Sequence, residues 1–212
     1  MSAALLALLA LQAPVDEATL IVHEDTVVIA REAFRLSVVR TGAGATRWTL
    51  ATTVRYDRAR PVVVLDPIVE LGPDSNPASL EYTVADPREP LRILGQLTRG
   101  RFTVRLLGRR TERAREFPAP PPTAVLDDSV FALYLPVAWQ GRLRPGGVTG
   151  VFPRAGRREL LTVQDLGGEG PLRHVTVTGG ESRLVHIWLE PDGRLAKVEI
   201  PSRRLVAERV VP

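Results

Sequence analysis

The strongest constraint on this chain is the alternation of apolar and polar residues along most of its length. The clearest case is residues 46–56, where every second position from Trp48 to Tyr56 falls on one side. Alternation with a period of two is typical of strands with one buried face. The pattern recurs in residues 20–29, 34–38, 62–65, 79–84, 91–97, 101–107, 160–166, 172–178, 183–190, 195–200 and 205–211. We therefore expect an all-β, mainly antiparallel protein built as a curved sheet, half-barrel or barrel.

Turn residues separate these runs. Gly167-Gly168, Gly179-Gly180 and Pro191-Asp192-Gly193 punctuate the second half of the chain. In the first half, the glycines at 42 and 44 stand between two alternating runs, residues 34–38 and 46–56. Short glycine-rich connections of this kind favour hairpins, so we expect these two runs to pair.

One segment departs from the alternation. Residues 117–124 form a proline-rich connector, and Asp127 or Asp128 is suited to cap the helix that follows. Apolar side chains recur at helical spacing, among them Phe131 and Tyr134, and Pro136 ends the pattern. The sequence predicts one short helix near residues 127–135. In an all-β chain we expect it to cover an open edge or to plug the concave face of the sheet.

The first thirteen residues resemble a secretory leader. Residues 3–11 are continuously apolar, which is too short to span a bilayer, and Ala10 or Ala13 is available for cleavage. We interpret residues 1–13 as a signal peptide and residues 14–212 as one β-rich domain, periplasmic or secreted. The alternative is a short N-terminal helix packed on the domain. The chain has no cysteine, which excludes disulfides, thiolate metal sites and an acylated cysteine.

The formal net charge is +4, and the arginines behind it are unevenly spread. Residues 88–116 hold nine arginines against three glutamates, and residues 141–158 hold five arginines and no acid. These runs indicate either a basic surface facing phosphate or anionic headgroups, or arginines that alternate outward along solvated strands. They lack the interleaved aromatic residues that stack on bases, so we expect no nucleic-acid partner.

Three segments together resemble a group of bacterial envelope proteins whose best-known member has the lipoprotein-carrier (LolA/LolB-like) fold. They are the strands of residues 19–56, the segment LDDSVFALYLPVAW, and the closing hairpin WLEPDGRLAKVEIPSRRLVAER. The resemblance is one of pattern across most of the chain. It implies an antiparallel half-barrel closed by a helix, and a ligand that is an acyl chain or another apolar molecule.

The histidines are the main candidates for chemistry. With a turn over residues 179–181, Thr178 pairs with Ser182 and His174 lies opposite His186. Facing histidines can share a proton or a metal ion, with His23 or Glu190 as a third ligand. A two-residue turn instead places His174 opposite Val185 and separates the pair. The alternative to a metal or acid–base role is a pair of ordinary half-buried histidines.

Other chemistry is not indicated. The chain contains no P-loop, zinc-protease, nucleophile-elbow or EF-hand motif. Asp127 and Asp128 are adjacent and so do not converge on one substrate atom, which favours capping over catalysis. We therefore expect no enzymatic activity, no cofactor and no bound metal.

The leading hypothesis is an exported, non-enzymatic protein that binds a lipid or other apolar molecule in the concavity of the sheet. The expected ligand-binding residues are aromatic side chains of the concave face and helix, with arginines at the rim that meet an anionic headgroup: Trp48, Tyr56, Arg101, Arg105, Phe131 and Tyr134. The second hypothesis is a structural or interaction module that binds another envelope protein, with at most peripheral membrane contact. The third is an envelope hydrolase or metal enzyme that uses His174 and His186.

Overall fold

The computed structural model describes residues 13–40, 46–143, 146–180 and 182–210. The predicted signal peptide, residues 1–13, lies outside this part of the chain except for Ala13, which begins the first strand. The first eight strands are β1 (Ala13–Glu24), β2 (Val27–Arg40), β3 (Thr46–Tyr56), β4 (Val63–Leu71), β5 (Pro77–Ala85), β6 (Leu91–Thr98), β7 (Arg101–Gly108) and β8 (Glu112–Pro118).

The second half of the chain contains the helix and the remaining strands. A short 3₁₀ helix, Pro201–Arg203, precedes the last strand. The elements are β9 (Thr123–Val125), α1 (Tyr134–Leu143), β10 (Gly146–Phe152), β11 (Arg157–Glu169), β12 (Leu172–Gly179), β13 (Arg183–Leu189), β14 (Leu195–Ile200) and β15 (Leu205–Arg209). No helix among the described residues has the length and apolar character needed to cross a membrane.

All the strands belong to one 15-stranded sheet with the order β8-β7-β6-β5-β4-β3-β2-β1-β15-β14-β13-β12-β11-β10-β9. Each half is a meander of sequential neighbours, and the halves join where β1 pairs with β15. Neighbouring strands are antiparallel except β9 and β10, which are parallel. The first and last strands of the described chain therefore lie in the middle of the sheet, and β8 and β9 form its edges. The all-β, mainly antiparallel fold class is confirmed.

The alternation correctly predicts which face of β3 and of β7 is buried. The expected hairpin forms between β2 and β3, with Leu36 opposite Leu50 and Phe34 opposite Thr52. Leu50, Thr52 and Val54 are all buried, as their shared side predicts. The turn at residues 42–44 lies outside the described residues.

Residues 20–29 form two strands rather than the single strand that their alternation indicates. β1 ends at Glu24 and β2 begins at Val27. Asp25 turns the chain with φ 53°, in the left-handed region that aspartate tolerates better than most residues. This hairpin has no glycine or proline, which explains why the turn was not predicted.

The concave side of the sheet is filled by the chain itself. Residues 123–141, which we call the interior segment, include β9 and most of α1, and nearly all of their side chains are buried. Leu126, Phe131 and Leu135 are completely inaccessible to solvent. The segment bonds to strands from both halves, so the sheet encloses it and the main hydrophobic core surrounds it.

The helix exists, but it begins at Tyr134 and runs to Leu143 rather than occupying residues 127–135. Pro136 does not end the helix; it lies in its first turn, where a backbone N–H has no intrahelical partner and proline costs little. Helical spacing could not locate the helix because residues 130–138 are buried on every side, so no polar face marks where it starts.

Candidate functional site

Three of the predicted ligand-binding residues pack the interior segment against the sheet instead of lining an open cavity. Phe131 and Tyr134 are fully buried within the segment. Tyr56 donates a hydrogen bond of 2.8 Å from its hydroxyl to the carbonyl oxygen of Ser129. Arg183 donates to the Tyr134 hydroxyl at 3.1 Å, and burial raises the pKa of Tyr134 to about 12. Their geometry is that of structural contacts.

Arg101 and Arg105 lie on the outer face of β7, because their strand neighbours Phe102 and Val104 point inward and are buried. Each forms an ion pair with β8: Arg101 with Glu116, and Arg105 with Glu112 at 2.5 Å. The side chains of both arginines remain more than half exposed. These arginines therefore do not lie at a rim of the concave face.

Trp48 is the predicted site residue that borders open space. Its ring centroid lies 6.0 Å from that of Trp139, with a 58° angle between the ring planes. The two indoles contribute to a cleft of about 460 Å³. That volume is within the range of small-molecule sites. The cleft residues come from β3, the β4–β5 turn, α1 and β12: Trp48, Pro73, Ser75, Trp139, Arg142 and Arg173.

Two guanidinium groups flank the indoles, but they differ in how far an acidic side chain neutralises their charge. Arg173 pairs with Asp165, with 2.5 Å between Nη2 and Oδ2. Although burial acts to raise it, the hydrogen bond from Arg173 lowers the pKa of the Asp165 carboxyl below its ordinary value. Arg142 is exposed and forms no ion pair with any described residue. The charge of Arg142 also helps to lower the pKa of Asp165, but without a direct ion pair Arg142 is the more available positive charge of the cleft.

Local packing fixes Trp139 and the end of α1. The Trp139 indole N–H donates to the carbonyl oxygen of Gly193 at 3.0 Å. Gly193 has φ +87°, and a Cβ placed there would lie 3.4 Å from Arg142 Nη1. Glycine therefore supplies both the backbone conformation and the space for this close approach.

Gln140, next to Trp139, joins α1 to the β4–β5 turn. Its amide nitrogen donates to the carbonyl oxygens of Ser75 at 2.9 Å and Thr123 at 2.8 Å. Because both partners are acceptors, they also determine the orientation of the amide. The other end of the amide, Oε1, is buried and accepts no hydrogen bond from the described residues.

A buried carboxylate holds the other end of the interior segment. Glu32, on β2, is completely buried and accepts hydrogen bonds from the N–H groups of Phe131 at 2.8 Å and Ala132 at 2.9 Å. Thr52 donates a third from its hydroxyl at 2.8 Å. Loss of solvation on burial raises the pKa of Glu32 to about 7, although these three hydrogen bonds act to lower it.

Asp127 and Asp128 do not cap α1, which begins at Tyr134, so the capping prediction is wrong. Asp127 is buried and forms a bidentate pair with Arg154, with both N–O distances 2.7 Å. Asp128 bonds instead to Arg157 at 2.7 Å and Arg183 at 2.8 Å. Although burial acts to raise it, contact with these arginines lowers the pKa of Asp128. The two carboxylates serve ion pairs and do not converge.

The two histidines meet, although neither predicted register is correct. Thr178 pairs with Leu184, so His174 lies opposite Trp188 and His186 opposite Thr176. The histidines are diagonal neighbours on the outer face, with 2.8 Å between His174 Nε2 and His186 Nδ1. Trp188 stacks on His174 at 4.7 Å between centroids. The described residues contain no cluster of three or more metal-binding side chains.

A larger depression, of about 810 Å³, crosses the outer face of β1–β4. Small side chains such as Ala33 and Ala51 line it, and an ion pair between Arg194 and Glu190 closes part of its edge. Specific small-molecule sites usually combine aromatic walls with a few converging polar groups. The tryptophan cleft has that combination, and it is therefore the candidate site.

Sequence reasoning identified Trp48 but not the rest of the cleft. The sequence patterns do not single out Trp139, and they do not distinguish Arg142 and Arg173 from the other arginines. Trp48 and Trp139 are 91 positions apart in the chain, and no local pattern predicts that they meet. The signal that was available is the rarity of tryptophan, of which the chain has three.

Comparisons with known proteins add little to this description. Neither family models nor curated proteins give a match. Among solved structures, the chain is similar to the crystal structure of a β-barrel-like protein of a domain of unknown function (DUF1849) from Brucella abortus. The identity is 11%, covering 92% of this chain and 95% of that one, with a TM-score of 0.47. The resemblance to lipoprotein carriers and the envelope location stay predictions.

Proposed function

We propose that this protein is an exported, non-enzymatic binding protein whose ligand is an amphiphile with an apolar body and an anionic group. The tryptophan cleft, and not the concave face, is its site. The observation that carries the proposal is the placement of two half-buried indoles beside the guanidinium of Arg142, which forms no ion pair with a described residue. The interior segment occupies the concavity where the ligand was first expected.

Each part of the cleft has the chemistry to bind one part of the proposed ligand. Indole faces give large apolar contact with little loss of side-chain entropy, and they accept flat or extended apolar groups. Arg142 supplies an exposed cation for a carboxylate or phosphate. Arg173 is already paired with Asp165 and contributes less charge.

Titration with palmitate, monitored by tryptophan fluorescence, tests this proposal. The background is Trp188→Phe, which removes the outer-face tryptophan and leaves Trp48 and Trp139 as reporters. Palmitate is expected to bind more tightly than hexadecanol, because the alcohol lacks the anionic group. Arg142→Gln should reduce this preference at least tenfold, whereas Arg31→Gln, an exposed arginine on β2, should not change it.

Two results would overturn the ligand proposal. One is equal affinity for palmitate and hexadecanol, and the other is unchanged palmitate affinity in Trp48→Ala. Export is tested separately by N-terminal sequencing of protein taken from the organism that makes it. Cleavage after Ala10 or Ala13 supports export, and an intact Met1 contradicts it.

A further inference from the structure

One edge of the sheet is a long strand with an open side. β8 is the terminal strand of the order and pairs only with β7. Residues 112–116 are exposed throughout, whereas the opposite edge strand, β9, is only 3 residues long and buried. Proteins usually shorten or cover such edges, because an open edge is a template for another strand.

Beyond the ladder to β7, residues 112–117 of β8 have no backbone partner among the described residues. Apart from the ladder to β7, no described residue hydrogen-bonds to the backbone of residues 112–117. In an antiparallel strand, successive residues direct their N–H and C=O groups alternately to the two sides. About half of the backbone groups of β8 are therefore available to an added strand.

The two arginine-rich stretches of the sequence converge along this edge. The first stretch ends on β8, where Arg115 Nη1 donates to the carbonyl oxygen of Gly156 at 2.9 Å. The second ends on β11, where Arg158 Nη1 donates to the carbonyl oxygen of Pro118 at 3.2 Å. Side chains rather than a backbone ladder connect β8 to β11 and to the turn before it, and the surface between them is basic.

The acids of β8 are neutralised and its arginines are not. Glu112 and Glu116 pair with Arg105 and Arg101 across the outer face. Arg113 and Arg115 form no ion pair with a described residue, although Asp86 and Glu89 line the same depression of about 330 Å³. The charge that β8 offers to a partner is therefore positive.

A second copy of the chain fits this edge poorly. Residues 112–116 read Glu-Arg-Ala-Arg-Glu, which is the same in both directions. When two β8 strands pair antiparallel about a twofold axis, residues on the same face of the sheet lie opposite one another. In each register centred on residue 113, 114 or 115, an arginine therefore lies opposite an arginine. Like charges opposite one another destabilise a strand pair.

We propose that the edge of β8 binds an extended, acidic segment of a partner protein as an additional strand. Backbone hydrogen bonds to residues 112–117 provide the pairing, and acidic side chains of the partner face Arg113 and Arg115. Strand addition of this kind takes its affinity from main-chain bonds and its specificity from alternate side chains. The proposal does not depend on a ligand in the tryptophan cleft.

The test uses a fluorescein-labelled peptide of sequence Val-Glu-Thr-Glu-Val-Glu-Thr and the full protein, with binding followed by anisotropy. Arg113→Glu is expected to weaken binding at least tenfold. Arg31→Glu, which changes the charge equally on the outer face of β2, should leave it within twofold. Two further peptides carry backbone N-methyl groups at alternate residues, one at the odd positions and the other at the even positions. One of these two peptides should bind at least tenfold more weakly than the unmodified peptide. Amide exchange of residues 112–117 should slow when the unmodified peptide binds.

Four outcomes overturn the proposal. They are no binding at millimolar peptide, equal losses in Arg113→Glu and Arg31→Glu, undiminished binding of both methylated peptides, and a dimer by light scattering that protects β8 without peptide. Equal losses would indicate attraction by net charge alone. Undiminished binding of the methylated peptides would exclude strand pairing.

Discussion

The carboxylate of Glu32 accepts a hydrogen bond of 2.8 Å from the backbone N–H of Phe131, 99 positions further along the chain. This bond joins the second strand of the sheet to the interior segment. The same carboxylate also bonds to the N–H of Ala132, two residues before α1 begins. One buried acid therefore helps to position the segment that leads to the helix carrying Trp139 and Arg142.

Because the pKa of Glu32 is about 7 in the folded protein and 4.5 is the ordinary value, folding favours its protonated form. Its contribution to stability is complete below pH 4.5 and is lost as the pH rises through 7. We expect the free energy of unfolding to fall by about 3 kcal/mol across this interval because of this group.

Urea denaturation at pH 5, 6, 7 and 8 measures this effect. The fall should disappear in Glu32→Gln, so that the variant gains stability relative to the wild type as the pH rises. Glu24→Gln, an exposed acid on β1, serves as the control and should keep the wild-type profile. A constant difference between wild type and Glu32→Gln at all four pH values would contradict the assignment.

The pair formed by Asp127 and Arg154 should be strongly coupled, because Asp127 is only 4% exposed and is bound at both oxygens. Asp127→Ala leaves a partly buried cation without its partner, and we expect a loss of roughly 3 kcal/mol in unfolding free energy. A double-mutant cycle with Arg154→Ala isolates the coupling.

The control cycle for that pair is Arg92 and Glu81, whose side chains are 55% and 52% exposed. Its coupling should be below about 1 kcal/mol. Additive effects of Asp127→Ala and Arg154→Ala would show that the buried pair contributes nothing beyond its separate contacts.

Gly141→Ala should destabilise the protein although alanine is the better helix former. A Cβ at residue 141 would lie 2.2 Å from Val163 Cγ1, so α1 must move away from β11. Overpacking of this kind costs about 1–3 kcal/mol and the helix-propensity gain is about 1 kcal/mol, so we expect a net loss of up to about 2 kcal/mol. Thermal unfolding measures the difference. Gly168→Ala is the control, since its nearest contact would be 4.0 Å away; equal stabilities of the two variants would exclude close packing at Gly141.

The sequence predicts where strands lie in the chain better than it predicts which strands pair. Alternation such as that of residues 46–56 reports which face is buried, because β3 has one face on the core. The pairing of β1 with β15 joins Leu20 to Arg209, and no local pattern carries that information. The order of strands within each meander follows from short connections, whereas the junction between the meanders is a tertiary contact.

The candidate site was less predictable than the fold for a related reason. The expected site assumed that the concave face was open, so it selected residues such as Phe131 that in fact fill it. A sequence pattern reports that a side chain is buried but not whether its neighbour is a ligand or the same chain. Trp48 was selected on the same assumption, as an aromatic of the concave face, and it borders the cleft together with Trp139. Arg142 was missed because nothing in the sequence distinguishes it from the other arginines.

The ion pair of Asp16 with Arg209 should stabilise the junction of the two meanders. Its N–O distance is 2.6 Å, and the side chains are only 4% and 10% exposed. Arg209 also donates to the carbonyl oxygen of Leu195 at 2.6 Å, which holds the guanidinium in place. Asp16→Ala should therefore lower the free energy of unfolding by roughly 3 kcal/mol, because it leaves the buried cation only the longer contact with Glu190, at 3.9 Å.

The effect should persist at high salt, since ions screen buried pairs weakly. Urea denaturation at 0.05 and 1 M NaCl is expected to give the same loss for Asp16→Ala, while amide exchange speeds up in β1 and β15 before other strands. Asp57→Ala is the matched comparison, because the Arg55–Asp57 pair is 57% and 52% exposed and should matter little at either salt concentration. If 1 M NaCl removes the loss in Asp16→Ala, the pair acts as a surface contact and does not secure the junction.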